Sequence, residues 1–309
     1  MGWFEQRSGL DGTVAVITGG AGGLGRQIVI DLVANGVRPA VLDTDAEALA
    51  ALEATLAETA RENGQAGSDV LLRVGDARDA DTMTSLFTAV DERWGRLDTL
   101  VNIVGGTFRA PFTDTSPNAW NALLRMNLTH VFQACSLAIP RMRAGGRGGS
   151  IVNITTIEAH RAAPGYAVYS AAKAAVTQFA RTLAVELAPD GIRINNVAPD
   201  FVPTPGLQRM AVELNSDQAL LDPVGVRVAI PMGRPGTPAD IAGGVVFLAS
   251  NLSSYLTGTT LHPDGGTSAS AGWFNWPEEG WANHAPLHLL RDGDRPAAAS
   301  TERLVEESI

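Results

Sequence analysis

Short runs dense in Val, Ile and Leu alternate along the chain with longer segments rich in Ala and Leu. This is the pattern of a parallel sheet whose strands are covered on both faces. Strands are predicted at Thr13–Thr18, Ala40–Asp43, Val70–Val74, Thr99–Asn102, Ser150–Ile154, Ile192–Val197 and Thr260–His262. Helices are predicted near Gly23–Ala34, Ala46–Asn63, Ala80–Trp94, Asn118–Met142, Tyr166–Leu187 and Pro238–Ala249. Seven strands separated by six helical segments describe an α/β fold, a doubly wound seven-stranded parallel sheet with helices on both faces. No Gly/Ser-rich or Pro-rich linker divides it, so residues 1–267 are expected to form one domain. Two stretches break the rhythm. Residues 203–235 make a long, proline-interrupted connection that carries Leu207 and Met210, and a connection of that length is expected to act as a lid over a substrate pocket. Residues 268–309 form an extension in which Trp273, Trp276 and Trp281 fall close together, a cluster expected to be buried against something.

Composition narrows the function. A hydrophobic fraction of 45% is ample for a large core, and a net charge of −10 lacks the basic footprint of a nucleic-acid or anionic-membrane binder. Small molecules and copies of the same chain are the expected partners. Cys135 is the single cysteine, so no internal disulfide and no multi-cysteine zinc site can form, and on a mixed apolar helix it reads as a small core residue. The start of the chain shows no apolar run behind a basic segment, and no stretch approaches a membrane span, so a reducing cytoplasm is the expected compartment. His284 and His288 are four apart, but Pro286 between them argues against a metal-binding helix, and no metal is expected.

Chemistry concentrates in two places. Thr18-Gly19-Gly20-Ala21-Gly22-Gly23-Leu24-Gly25 follows the first strand and opens the first long helix, where glycines let backbone approach a pyrophosphate and a helix N-terminus attracts the anion. Two registers fit: Gly20, Gly22 and Gly25 as G-x-G-x-x-G, or Thr18, Gly19, Gly23 and Gly25 as T-G-x-x-x-G-x-G. Asp43 ends the next strand, where a carboxylate can accept the adenine ribose hydroxyls and repel a 2′-phosphate, which favours NAD over NADP. A turn or cap role is the alternative for Asp43. Asp76 and Ala77, after the third strand, are candidates for adenine contact, with capping of the next helix the alternative for Asp76.

The second place is a helix. Lys173 is the only lysine among 23 basic residues, and Tyr169 lies four positions before it, so phenol and ammonium share one helical face. A free phenol, with a pKa of about 10, is a poor base at neutral pH. A neighbouring ammonium is expected to favour the phenolate, making Tyr169 the base in oxidation and the acid in reduction.

Taken together, the T-G-x-x-x-G-x-G turn, Asn102-Ile103-Val104-Gly105, Asn127, Tyr169-x-x-x-Lys173, Pro199 to Thr204 and Asp264-Gly265-Gly266 resemble, in order, the motifs of the short-chain dehydrogenases/reductases. The resemblance spans about residues 10–267 and implies a Rossmann-like fold, a nicotinamide cofactor and a homo-oligomer, tetramer or dimer. It implies a catalytic set of Asn127, Thr156, Tyr169 and Lys173, with Thr156 standing where the family has serine and Thr155 as its neighbour. Asn127 is implied to order a water that links Lys173 to solvent, and Lys173 to grip the nicotinamide ribose. The resemblance further implies cofactor contacts at Gly19, Gly23, Leu24, Gly25, Asn102, Val104, Gly105, Pro199, Val202 and Thr204. Ile103 and Val104 replace the usual Asn-Ala, and Asp200 replaces the glycine after Pro199. Asp200 reads either as a turn residue or as one facing substrate. Glu158 and Tyr166 are candidate pocket walls, and Tyr166 also matches the spacing of the enoyl-reductase branch. The expected activity is NAD-dependent interconversion of a secondary alcohol and a ketone, on a hydrophobic cyclic substrate such as a terpenoid, steroid or aromatic alcohol. The alternatives are a C=C reductase using Tyr166 and a non-catalytic NAD-sensing protein.

Overall fold

β-Branched runs set the sheet. In a computed structural model, which describes residues 2–62, 69–204 and 222–286, seven strands lie parallel: β1 (Val14–Thr18), β2 (Arg38–Asp43), β3 (Leu71–Val74), β4 (Thr99–Asn102), β5 (Gly149–Ile154), β6 (Ile192–Val197) and β7 (Thr260–Leu261). Their order is β3-β2-β1-β4-β5-β6-β7, so the winding direction reverses between β1 and β4. At such a switch point the loops leaving two neighbouring strands diverge and open a crevice at the carboxyl edge of the sheet.

Alternate strand residues feed two cores. Val14 and Val16 of β1 face one side with Leu100 and Ile151, packed under Met83, Phe87, Val131, Ala138, Val176 and Ala180. Ala15 and Ile17 face the other with Val101 and Val152, under Ile28, Leu32, Leu52, Ile241 and Val245. The helices that supply these side chains are α2 (Gly23–Ala34) and α3 (Ala46–Glu62), then α4 (Ala80–Trp94), α5 (Pro117–Leu124), α6 (His130–Gly145), α7 (Ala167–Leu187) and α9 (Pro238–Ala249). A short α1 (Trp3–Ser8) precedes the sheet, and α8 (Pro223–Ala229) precedes α9. Cys135 is buried in the first core, where desolvation pushes its thiol up to about 12. Such a thiol stays protonated and unreactive, as a core residue should.

One row of the sheet is polar. Thr18, Asn102, Asn153, Asn196 and Thr260 are successive lateral neighbours on β1, β4, β5, β6 and β7. The three amides form a one-way chain: Asn102 Nδ2 donates to Asn153 Oδ1 at 2.9 Å, Asn153 Nδ2 to Asn196 Oδ1 at 3.1 Å, and Asn196 Nδ2 to Thr260 Oγ1 at 3.4 Å. The amide nitrogen of Asn102 is therefore committed to the sheet, while its buried Oδ1 has no hydrogen-bond partner.

Three features depart from the sequence-based reading. The segment expected as one helix, Asn118–Met142, is α5 and α6 joined through a π-helical turn, Arg125–Thr129. After a short helix, α10 (Thr267–Ser270), the extension forms an antiparallel hairpin, β8 (Phe274–Trp276) with β9 (Gly280–Ala282). That hairpin packs against α8, and Trp276 is half-buried, yet Trp273 and Trp281 each remain 49% exposed. Leu207, Met210 and most of the expected lid lie outside the described residues, as does His288.

Candidate active site

The predicted site residues within the described residues gather at the carboxyl edge of the sheet, on the loops and helices that follow β1 to β6. The glycine turn joins β1 to α2. Gly19 (φ +75°) and Gly23 (φ +48°) adopt left-handed backbone that side chains rarely tolerate, and a Cβ on Gly19 would press within 3.1 Å of Val104. A Cβ on Gly23 would meet Thr204 at 3.5 Å, so the turn, the loop after β4 and the loop after β6 converge on one cradle. Gly22, the N-cap of α2, has nothing within 4 Å of where its Cβ would stand. A side chain there would occupy the open space in front of a helix N-terminus, the location in which a pyrophosphate is held by backbone N–H groups. The residues present thus fit a dinucleotide.

Asp43 braces this turn. Its Oδ2 accepts from the Ala21 N–H at 2.9 Å and its Oδ1 from the Asp45 N–H at 3.1 Å, which leaves each oxygen further acceptor capacity. The turn role considered from sequence is thus real, and it is compatible with accepting hydroxyl groups as well. Asp76 accepts a bidentate pairing from Arg78, at 2.6 to 2.9 Å, which holds its carboxyl below the usual range, while Ala77 beside it is buried. The helix-cap role weighed for Asp76 belongs instead to Asp79, whose carboxylate accepts from Thr82 N–H.

Asn127 sits in the π turn, fully buried. Its Nδ2 donates to Gly106 O at 2.8 Å and to Leu123 O at 3.0 Å, and its Oδ1 accepts from Gly106 N at 3.2 Å. The added residue of a π turn widens the helix, and such turns recur at functional sites. Here it presents the amide to the loop after β4. Gly105 is squeezed beside it, since a Cβ there would lie 3.0 Å from Asn127 Oδ1 and 3.1 Å from Lys173 Nζ.

Across that loop stands the pair from α7. The half-buried Tyr169 faces the hydroxyl of buried Thr156, with Lys173 one turn further along the helix. Thr156 Oγ1 also accepts from Glu158 N at 3.3 Å, whereas the Thr155 hydroxyl turns away to Val197 O. Thr156 is therefore the hydroxyl that meets Tyr169. Lys173 Nζ donates to Ile154 O at 2.9 Å. The electrostatics differ from the expectation of an acidic phenol. Burial pushes Tyr169 up to about 12, opposed by the Thr156 hydrogen bond, and burial pulls Lys173 down to about 8. Desolvation penalises both charged forms, and for Tyr169 burial is the largest effect, while Lys173 keeps most of its positive charge at neutral pH. The protein's own groups keep the phenol protonated at neutral pH.

Several contributors were not legible in sequence. Arg161 bridges Glu158, at 2.9 Å, and Asp200, at 3.2 Å, which closes one side of the cleft with charge. Asp200 thereby faces the cleft side of the site, and burial raises its pKa against the pull of Arg161. On the other side a small niche next to Tyr169 is lined by Phe108, Phe112, Leu123 and Tyr166. Pro199 accepts from Ile157 N at 3.0 Å, and Val202 is buried next to Gly236, so the loop after β6 is pinned below Thr204.

His130, three residues past Asn127, is 1% exposed, and neither ring nitrogen finds a partner of good hydrogen-bond geometry, although the ring faces the Val104 backbone. Burial lowers its pKa to about 4, and the Lys173 charge acts in the same direction. Because the folded value is depressed below the ordinary 6.5, this stabilisation is complete above pH 6.5 and is lost as pH falls toward 4, a change of about 3 kcal/mol. His130→Asn is expected to flatten the acid-side fall of the urea-unfolding midpoint over that window. A variant whose midpoint declines as steeply as the wild type's contradicts the assignment.

The chain is similar to known proteins. The family described as enoyl-(acyl carrier protein) reductase matches residues 19–268. A 3-oxoacyl-(acyl-carrier-protein) reductase of Synechocystis sp. is 33% identical over 258 residues, covering 83% of this chain and 97% of its own. Cyclohexanol dehydrogenase of Rhodococcus sp. is 33% identical over 276 residues, covering 84% and 98%. The crystal structure of levodione reductase superposes with a TM-score of 0.76 at 32% identity, covering 84% of this chain and 98% of that one. With its parallel seven-stranded sheet, glycine turn and Tyr/Lys helix, the chain belongs to the short-chain dehydrogenase/reductase family of nicotinamide-dependent oxidoreductases.

Proposed function

We propose that this protein is an NAD-dependent dehydrogenase that interconverts a secondary alcohol and a ketone. The observation that carries the reading is the Tyr169 hydroxyl facing Thr156, one helical turn from Lys173 and beside the glycine cradle. A nicotinamide dinucleotide, when bound, accepts hydride in oxidation and donates it in reduction. In oxidation the substrate hydroxyl is held between Thr156 and Tyr169, and Tyr169 takes its proton; in reduction Tyr169 returns a proton to the carbonyl oxygen. Lys173, buried and anchored to Ile154 O, borders the same space and grips the nicotinamide ribose, and Asn127 fixes the Gly105–Gly106 loop that Lys173 touches. In the oxidative direction Lys173, mostly protonated at neutral pH, would share with a bound nicotinamide the task of favouring the phenolate.

The walls beside Tyr169 support a substrate class. Phe108, Phe112, Leu123 and Tyr166 offer an apolar wall, while Arg161 with Glu158 and Asp200 offers a charged one. That combination suits a hydrophobic ring with one polar edge, in keeping with the cyclic alcohol and ketone named for two of the relatives. The protein acts as a homo-oligomer in the cytoplasm on this reading; exposed Phe132 on α6 and Val185 on α7 support self-association.

Asp43 sets the cofactor preference. Asp43→Asn is expected to lower the ratio of kcat/KM with NAD to that with NADP by tenfold or more, because a 2′-phosphate no longer meets a carboxylate. A screen of cyclic alcohols with both cofactors measures it, and a wild-type preference for NADP overturns the assignment. A second reading, reduction of an activated C=C bond with Tyr166 as the acid, is favoured by one observation: Tyr166 lines the same niche as Tyr169.

A further inference from the structure

One large cavity lies away from the cofactor turn. It occupies about 670 Å³ at the amino ends of β1, β4, β5 and β6, the opposite edge of the sheet. Its lining includes three guanidinium groups, Arg96, Arg147 and Arg193, but a single carboxylate, Asp98. Asp98 is already shared: Arg96 meets it at 2.8 Å, Arg147 at 3.4 Å, and it also accepts from the Val14 N–H at 2.8 Å. Arg193 donates to Ser253 Oγ at 2.8 Å and to Ser250 O at 3.2 Å at the end of α9, and among the described residues no carboxylate pairs with it. Asp190, at the rim, is taken by Arg143 outside the cavity, at 2.7 Å. The lining therefore carries a surplus of two positive charges in a chain whose net charge is −10.

A half-buried guanidinium held only by neutral oxygens retains unused donors and an uncompensated charge, which is unfavourable without an anion. Around the three arginines the cavity also offers a neutral hydroxyl donor, that of Thr257, whose oxygen accepts from Ile194 N. The volume falls within the range of about 300 to 1,000 Å³ occupied by small-molecule sites. We propose that this cavity binds a small, multiply charged oxyanion through Arg193, Arg147 and Arg96. Planar guanidinium forks match phosphate and carboxylate oxygens equally well, so the shared chemistry is the anion's charge and its paired oxygens. The site is separate from the cofactor cradle, and the proposal holds whatever alcohol the enzyme oxidises.

Isothermal titration calorimetry on the full chain, with the cofactor cradle saturated by dinucleotide and ionic strength fixed with NaCl, tests the idea with pyrophosphate and citrate as separate probes. Saturable binding at one site per chain is expected for at least one probe. A response to pyrophosphate alone identifies a phosphate ester as the ligand class, and a response to citrate alone identifies a polycarboxylate. Arg193→Met and Arg147→Met are each expected to weaken binding tenfold or more, while Arg61→Met, on α3, leaves it unchanged. Arg147 is largely solvent-accessible, so its variant keeps the test decisive should Arg193→Met fail to fold. Absence of saturable binding by both anions, or arginine variants that bind as the wild type does, overturns the proposal.

Discussion

Replacing Tyr169 with phenylalanine is expected to lower kcat about 10²- to 10⁴-fold in both reaction directions while leaving dinucleotide affinity within a few-fold of wild type. The loss is of this size because the variant removes the phenol hydroxyl that faces Thr156, and with it the proposed proton donor and acceptor at the substrate oxygen. The fold should survive, since the phenyl ring fills the same buried space and Thr156 keeps its contact with Glu158 N. Tyr166→Phe is the informative partner. Tyr166 caps the start of α7 and lines the niche, so its loss should shift KM and spare kcat. The opposite outcome, with Tyr166→Phe carrying the large defect, assigns the chemistry to C=C reduction. Measured pH dependence adds a sign. With the Tyr169 phenol pushed up to about 12 by burial, oxidation needs the less populated phenolate and should rise with pH, whereas reduction uses the phenol already present and should hold steady through neutrality.

Gly25→Ala is expected to abolish dinucleotide binding and to destabilise the fold by about 1 to 3 kcal/mol, the usual range for overpacking a close-packed site. A Cβ on Gly25 would fall on the Gly19 carbonyl oxygen and lie 2.7 Å from Gly20 Cα, and both are backbone atoms that cannot step aside without unmaking the turn. Gly22→Ala separates the two effects. Nothing stands within 4 Å of its Cβ position, so Tm should be unchanged while dinucleotide binding, followed by quenching of tryptophan fluorescence, weakens. If Gly25→Ala binds dinucleotide normally, the cradle is not where the cofactor lies.

The sheet was legible because its strands are nearly uninterrupted β-branched runs, and each predicted strand is present within two residues at either end. The glycine turn and the Tyr169/Lys173 pair were legible because local spacing alone creates them. What escaped depends on contacts between distant residues or on small changes of helical period. A π turn at Asn127 adds one residue to an otherwise regular helical pattern, and no side-chain periodicity announces it. Arg161 unites Glu158 with Asp200, far along the chain, so its role exists only once the sheet places both loops side by side. The β8–β9 hairpin was missed because its strands are three residues each, too short for an alternating pattern to show. The protonation of Tyr169 was misjudged because spacing reports the nearness of a charge and not the burial that opposes it.

The polar row across the sheet has a bearing on how the strands find their partners. Strands covered on both faces gain little discrimination from hydrophobicity, since sliding one by a residue exchanges one apolar surface for another. Between β4 and β5 the amides do not tolerate such a slip, because Asn102 would trade its hydrogen bond with Asn153 for contact with Val152 or Ile154. The row therefore works as a key: it aligns the carboxyl ends of four neighbouring strands and so levels the platform on which the glycine turn, Thr156 and the loop to Thr204 are mounted.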